Sequence, residues 1–320
     1  MGVAQKTKAG FISTANRLQL AISSRLIAGL AIALSLGIGI GIGLGISPGV
    51  AIAQSIPAHA EGLTEELVSV PLDANRQQAG VYSVRAGTSN HTRLAVLLPG
   101  YPSVVRPVVE NGTMVRSKLT GNFLIRSRRL LTDESIATLI VDCHSESGDY
   151  CSAAYQSSQD RQQHVRKLID AVRGKYPSLN EVWLIGTSMG TISSAFLPTY
   201  DPKSFAGAIH TASITEPWVQ GSYRELANFD YTRSGIPQIF VHHRDDPCAL
   251  TTYSGAKRIS EKYGFPLITV VGGGGFQGGA CQAQTEHGFK GMEPQTMRTI
   301  ANILKSGKSE KLESFIVSQQ

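Results

Sequence analysis

Apolar residues in this chain fall into short runs separated by stretches with helical spacing. Residues 94–98, Leu-Ala-Val-Leu-Leu, are continuously apolar, as expected for a strand buried on both faces. Comparable runs at 137–141, 182–185, 206–213, 238–241 and 267–271 read as strands. Between them Val165, Leu168, Ile169 and Val172 share one helical face. Ser157 and Asp160 stand ahead of that face at capping-box spacing, and Gly174 and Pro177 end it. Helices are also predicted over 122–131, from 189 towards 197 and over 254–263, and a last one carries Met297, Ile300, Ala301 and Leu304. Residues 67–72 and 81–84 read as a strand pair ahead of this series. Strand and helix alternate from 94 to 304, which predicts an α/β fold with a mostly parallel central sheet and helices on both faces. There is no internal repeat and no heptad run.

Two stretches stand outside that alternation. Residues 214–235 carry Trp218, Tyr223, Phe229 and Tyr231 interleaved with Glu216, Arg224, Glu225 and Asp230. They are expected to form a short cap insertion beside a cleft, too charged to serve as an oil-binding face. Residues 306–320 are polar and charged and are expected to be a frayed tail.

The first sixty residues have a different character. Lys6, Lys8, Arg17 and Arg25 flank an apolar run at 26–46, a Ser47-Pro48-Gly49 break follows, and Ala51-Ile-Ala53 and Ala58-His-Ala60 match small-residue cleavage sites. This is the layout of a secretory signal over 1–60, with a domain at 61–305 outside the cytoplasm, periplasmic or secreted. At roughly 20 residues the run is also long enough to span a bilayer. An uncleaved anchor, with small residues at Gly37/Gly41 and Gly39/Gly43, is thus the alternative, and the only one that brings membrane contact. No cysteine follows the run to accept a lipid.

The leader also accounts for most of the charge excess. It holds four of the 30 basic residues and none of the 24 acidic ones, so the +6 net charge describes the leader more than the domain. No basic stripe argues for nucleic acid. Roughly 260 residues remain, the size of one α/β domain with a proper core. The four cysteines, Cys143, Cys151, Cys248 and Cys281, read as disulfides in an exported chain. Three pairings are open; the local one, 143 with 151 and 248 with 281, is preferred because each bridge would brace a loop at the candidate site. Zinc is set aside for want of a Cys-x-x-Cys.

The chemistry centres on Gly186-Thr-Ser-Met-Gly190, directly after the 182–185 strand. In the α/β-hydrolase fold such a pentapeptide is the nucleophile elbow, a tight strand-to-helix turn that lifts the serine hydroxyl above the sheet. Ser188 is therefore the candidate nucleophile, and it needs a base and a carboxylate to orient that base. In this fold they follow in the order serine, acid, histidine. The next suitable strand end reads His242-His-Arg-Asp-Asp246, and Asp246, four residues past His242, is preferred over Asp245 as the acid. His287 lies between the last strand and the last helix and is the candidate base; His91, His144 and His164 precede the serine. The oxyanion hole is expected from the backbone N–H groups of Met189 and of Tyr101, which follows Pro99-Gly100.

Other patterns carry less. The glycine run at 272–279 lacks the Gly-Lys-Ser/Thr of a phosphate loop and reads as a connector. Neighbouring residues on a strand point to opposite faces, so His242, His243, Asp245 and Asp246 do not suggest a metal. No metal or other cofactor is expected.

With these residues assembled, the sequence from about 66 to 305 resembles a group of exported bacterial α/β-hydrolases of the serine-esterase type. The likeness rests on Gly121-Asn-Phe-Leu-Ile-Arg-Ser-Arg128, Trp183-Leu-Ile-Gly-Thr-Ser-Met-Gly-Thr191, His242-His-Arg-Asp-Asp-Pro-Cys248, and Cys281 ahead of Glu286-His-Gly-Phe289. The resemblance implies the fold and a serine-hydrolase triad, and that Cys248 pairs with Cys281, tying the acid loop to the histidine loop. It brings Asn122 and Arg126 to the site or makes them anchors of the preceding loop. The expected substrate is a small-molecule carboxylic ester of short or medium acyl chain, cleaved through an acyl-enzyme. Acyl transfer or peptide cleavage by the same triad, and an inactive binding protein of hydrolase fold, are the alternatives.

Overall fold

The computed structural model describes residues 56–217, 224–307 and 312–319. The candidate leader up to residue 55, and Trp218 and Tyr223 of the insertion, lie outside the described residues. Among the described residues no helix is long and apolar enough to cross a membrane.

One nine-stranded sheet runs in the order β1-β2-β6-β3-β7-β8-β9-β10-β11. Its strands are β1 (Leu63–Pro71), β2 (Gln77–Arg85), β3 (Arg93–Leu98), β6 (Ile136–Val141), β7 (Glu181–Thr187), β8 (Gly207–Thr211), β9 (Gln238–His243), β10 (Leu267–Val270) and β11 (Phe315–Val317). A separate hairpin joins β4 (Val108–Glu110) to β5 (Thr113–Arg116). β2 is antiparallel to β1 and β6, and the strands from β6 to β11 are parallel.

Alternation along the central strands feeds two cores. Leu94, Val96 and Leu98 of β3, with Val182 and Leu184 of β7, pack on Val165, Leu168, Ile169 and Val172 of α3 (Gln159–Lys175). Ala95, Leu97, Trp183 and Ile185 point the other way, towards α1 (Phe123–Ser127) and α7 (Glu293–Ser306). Successive side chains on a strand face opposite sides, so a strand apolar throughout has to be covered on both. α4 (Thr191–Tyr200) and α6 (Tyr253–Tyr263) complete the first layer; α2 (Ala153–Gln156) and α5 (Arg224–Ala227) are single turns.

The Gly121–Arg128 segment is tied to the sheet by a buried ion pair. Arg128 Nε and Nη2 donate to the two Glu65 carboxylate oxygens at 2.8 and 2.9 Å, and both side chains are fully buried. Ser83 Oγ and the Met114 N–H also donate to that carboxylate, so the desolvated charges are well satisfied.

Three expectations need correction. The α3 cap is Ser158, whose hydroxyl accepts the Arg161 N–H, not Ser157; the helix starts one residue later than its capping-box pattern suggests. The tail is not frayed at 315–317, where β11 adds in parallel to β10. The helix expected to run from 189 towards 197 continues to Tyr200, with Pro198 inside its last turn. In the insertion, Leu226, Phe229 and Tyr231 are buried against α4, β9 and α6, where the Phe229 ring lies tilted at 44° to that of Phe196 with centroids 4.5 Å apart.

Two histidines are enclosed in the sheet. His210 on β8 bonds Ser194 Oγ at 2.8 Å and Gln238 Oε1 at 2.5 Å, and burial pushes its pKa down to about 4. Burial likewise pushes His242 on β9 down to about 3. Both rings stay neutral in the fold where a free imidazole gains a proton. Below pH ~6.5 the unfolded chain therefore binds protons that the folded one refuses, and stability falls with acidification by about 1.4 kcal/mol per ring per pH unit. Denaturant unfolding should show stability level above that pH and declining steeply between pH 6 and 4.5. A flat profile through that range would contradict the neutral assignment.

Candidate active site

β7 ends at Thr187, and Ser188 turns the chain with φ at 51°, a left-handed conformation that a β-substituted residue adopts only under constraint. The flanking glycines make that turn possible. A Cβ on Gly190 would overlap the Leu98 and Pro99 carbonyls at the end of β3, and one on Gly186 would overlap Ser194 and Thr191 of α4. The turn is a short 3-10 segment, Ser188–Gly190, that leads into α4, with Thr191 Oγ1 donating to the Ser188 carbonyl at 2.6 Å.

Asp246 and His287 come from loops beyond β9 and β10, at the same carboxyl edge of the sheet. There they meet: His287 Nδ1 lies 3.1 Å from Asp246 Oδ2, with the two side chains 5% and 0% exposed. Thr251 stands between them, donating to Asp246 Oδ2 at 2.8 Å and lying 3.0 Å from His287 Nδ1. The Cys248 N–H donates to Asp246 Oδ1 at 2.9 Å, and Thr285 Oγ1 accepts the His287 N–H at 3.2 Å. Asp245 is exposed, and its N–H donates to His243 Nδ1 at 3.1 Å. His242 lies behind the acid, where its Nε2 accepts the Ser213 N–H at 2.8 Å. Thr251 had no signal in the sequence, since its neighbour Thr252 is the residue that caps α6.

Ser188 and His287 line one cleft of about 360 Å³ together with Tyr101, Asn122, Gln282 and Gln284. Among the described residues Ser188 Oγ makes no hydrogen bond, to His287 or to any other side chain. Such contacts commonly tighten only in the substrate complex. Tyr101 follows Gly100 at the end of β3. Among the described residues its N–H has no acceptor. A Cβ on Gly100 would stand 3.1 Å from Ser188 Cβ, which explains the glycine at that close approach. Met189, the other expected oxyanion residue, is the second residue of the elbow turn.

Both bridges of the local pairing are formed. Cys248–Cys281 joins the acid loop to the histidine loop, Cα to Cα 4.6 Å apart. Cys143–Cys151 closes the loop that carries Tyr150, whose ring lies 5.7 Å from that of Tyr101. That loop wraps the Arg106 guanidinium, which donates to the Cys143, His144, Ser145 and Gly148 carbonyls and to Asp142 Oδ2. Arg126 anchors the histidine loop. It donates to the Gly288 carbonyl at 2.6 Å, to Gly121 at 2.7 Å and to Glu293 at 3.0 Å. Among the described residues no group of three or more His, Cys, Asp or Glu side chains is placed to hold a metal.

No family model matches this sequence, and no curated protein matches it. Among solved structures the chain is similar to Est1E from Butyrivibrio proteoclasticus, with TM-score 0.51 and 10% identity over 76% of this chain and 98% of that one. It is similar also to the zinc-bound structure of a cold-adapted esterase from an Arctic intertidal metagenomic library, with TM-score 0.50 and 15% identity over 78% and 95%. Identities this low speak to the fold alone. Together with the parallel sheet and its two helical layers, they give the chain the α/β-hydrolase fold.

Proposed function

We propose that this protein is an exported serine hydrolase that cleaves carboxylic esters of short or medium acyl chain through a Ser188–His287–Asp246 triad. The observation that carries this reading is the meeting of a left-handed elbow serine and a buried carboxylate–histidine pair at one cleft. His287 Nε2 takes the Ser188 proton as Oγ attacks the ester carbonyl. The carbonyl oxygen becomes an oxyanion held by the Tyr101 and Met189 N–H groups. Its collapse expels the alcohol, which receives the proton back from His287. Water then attacks the acyl-enzyme by the same route, releasing the acid and restoring Ser188. Asp246 keeps the histidine proton on Nδ1 and stabilises the imidazolium that forms. Thr251 helps hold that carboxylate. One of the two solved structures of the same fold is described as a cold-adapted esterase, which supports ester cleavage. Export is supported by the two disulfides, which persist in oxidising compartments.

The walls of the cleft support the acyl preference. Lys118, Asn122, Gln282 and Gln284 stand among the walls beside the apolar Tyr101 and Leu119, and the described aromatics of the insertion are buried in the core instead of lying over the cleft. Rates on nitrophenyl esters from acetate to palmitate, taken below and above the critical micelle concentration, are expected to peak at short or medium chains with no jump at micelle formation. A maximum at palmitate with interfacial activation would reject this preference.

A further inference from the structure

Asn122 has a structural duty that uses only half of its side chain. As the residue that caps α1, it accepts the Leu124 N–H on Oδ1 at 3.1 Å. That bond sets which end of the amide is which and turns Nδ2 the other way. Nδ2 lies 3.6 Å from the point where a Gly100 Cβ would stand, and the same point is 3.1 Å from Ser188 Cβ and 3.2 Å from the Thr187 carbonyl oxygen. The free end of the amide is thus beside the elbow serine and the Gly100–Tyr101 step. Asn122 lines the same cleft as Ser188 and His287, and among the described residues its Nδ2 donates to no acceptor.

The backbone carrying this amide is held on several sides. The Asn122 N–H donates to the Leu119 carbonyl and its own carbonyl accepts the Arg126 N–H, both at 2.9 Å. The Gly121 carbonyl is gripped by Arg126 Nη1 at 2.7 Å, and the same guanidinium holds Gly288, next to His287. A donor fixed in this way needs no reorganisation when charge develops in front of it, which is the condition under which such groups contribute most.

We propose that Asn122 Nδ2 is a third donor to the oxyanion and therefore a catalytic residue alongside the Tyr101 and Met189 amides. This assignment rests on the serine-hydrolase reading above. When Ser188 Oγ bonds to the carbonyl carbon, the π pair moves onto the carbonyl oxygen. Asn122 then strengthens its N–H contact to that oxygen without giving up its proton. A neutral donor stabilises the anion more than the ester carbonyl, so its contribution appears in kcat, not in substrate binding.

The cap and the proposed donor can be separated by substitution. Asn122→Asp and Asn122→Ser keep a capping oxygen, whereas Asn122→Ala removes it. Aspartate has no N–H to donate, and serine is too short to reach. The expected result on nitrophenyl acetate is a fall in kcat of about 10²–10³-fold in all three variants, with KM little changed. The thermal midpoint should drop only in Asn122→Ala, and labelling of Ser188 by a fluorophosphonate should slow in parallel with kcat. If wild-type protein labels and turns over while Asn122→Asp and Asn122→Ser keep kcat near wild type, the donor assignment falls and the triad stands. A raised KM with kcat preserved would also overturn it, making Asn122 a binding contact for the ground state. If wild-type protein neither labels nor loses turnover on Ser188→Ala, the triad and this assignment fall together.

Discussion

Ser188→Ala is expected to fold as the wild type does and to lose hydrolysis of short acyl esters, by a factor on the order of 10⁶ in kcat where the triad acts as a unit. The side chain makes no hydrogen bond among the described residues, so removing the hydroxyl leaves no buried partner orphaned. His287→Ala should match that loss, since without the base the hydroxyl stays protonated and weakly nucleophilic. His242→Ala separates the two histidines of this region. That ring is buried, neutral and bonded to the Ser213 N–H, so its removal should lower stability while costing far less activity. Steady-state kinetics and thermal unfolding of the three variants check the set. An essential His242 beside a dispensable His287 would overturn the triad as drawn.

The second large effect is expected from Cys248–Cys281. The bridge spans 33 residues of sequence, and a loop of that size contributes roughly 3–4 kcal/mol in the chain-entropy model, on the order of 10 °C in midpoint for a domain this large. Its position links stability to activity. Cys248 donates its N–H to Asp246, and Cys281 opens the segment that ends in His287. Cys281 is exposed at the cleft, whereas Cys143 and Cys151 are buried, so reductant should open 248–281 first. Reduced protein and the Cys248→Ser/Cys281→Ser double variant should both lose thermal stability and kcat together. Full activity in the double variant would show that the bridge does not position the triad. Four free thiols in mass mapping of exported material would remove the premise.

How far the sequence revealed this depends on how local each cause is. The elbow was legible because its glycines answer a steric demand within five residues, and the Leu98 and Pro99 carbonyls are what impose it. The parallel sheet was legible because strands buried on both faces are apolar along most of their length, as β3 and β7 illustrate. Contacts that need two distant loops to meet left no such trace. Thr251 bridges Asp246 and His287 only once the loops after β9 and β10 have closed on each other. β11 was hidden for a related reason: it is three residues long, Ile316 is 64% exposed, and only its pairing with β10 makes it a strand. In the insertion, composition marked Phe229 and Tyr231 as aromatic but could not tell a cap from a core, because both call for apolar rings.

The proposal that Ser188 is an activated nucleophile is tested most directly by covalent capture. Wild-type protein would be treated with a fluorophosphonate at neutral pH, digested, and the adduct located by mass spectrometry, with Ser188→Ala and His287→Ala run alongside. One adduct per chain on the peptide containing Ser188, absent in Ser188→Ala and strongly slowed in His287→Ala, is the predicted result. No adduct on the wild type, or one that persists undiminished in Ser188→Ala, would contradict it.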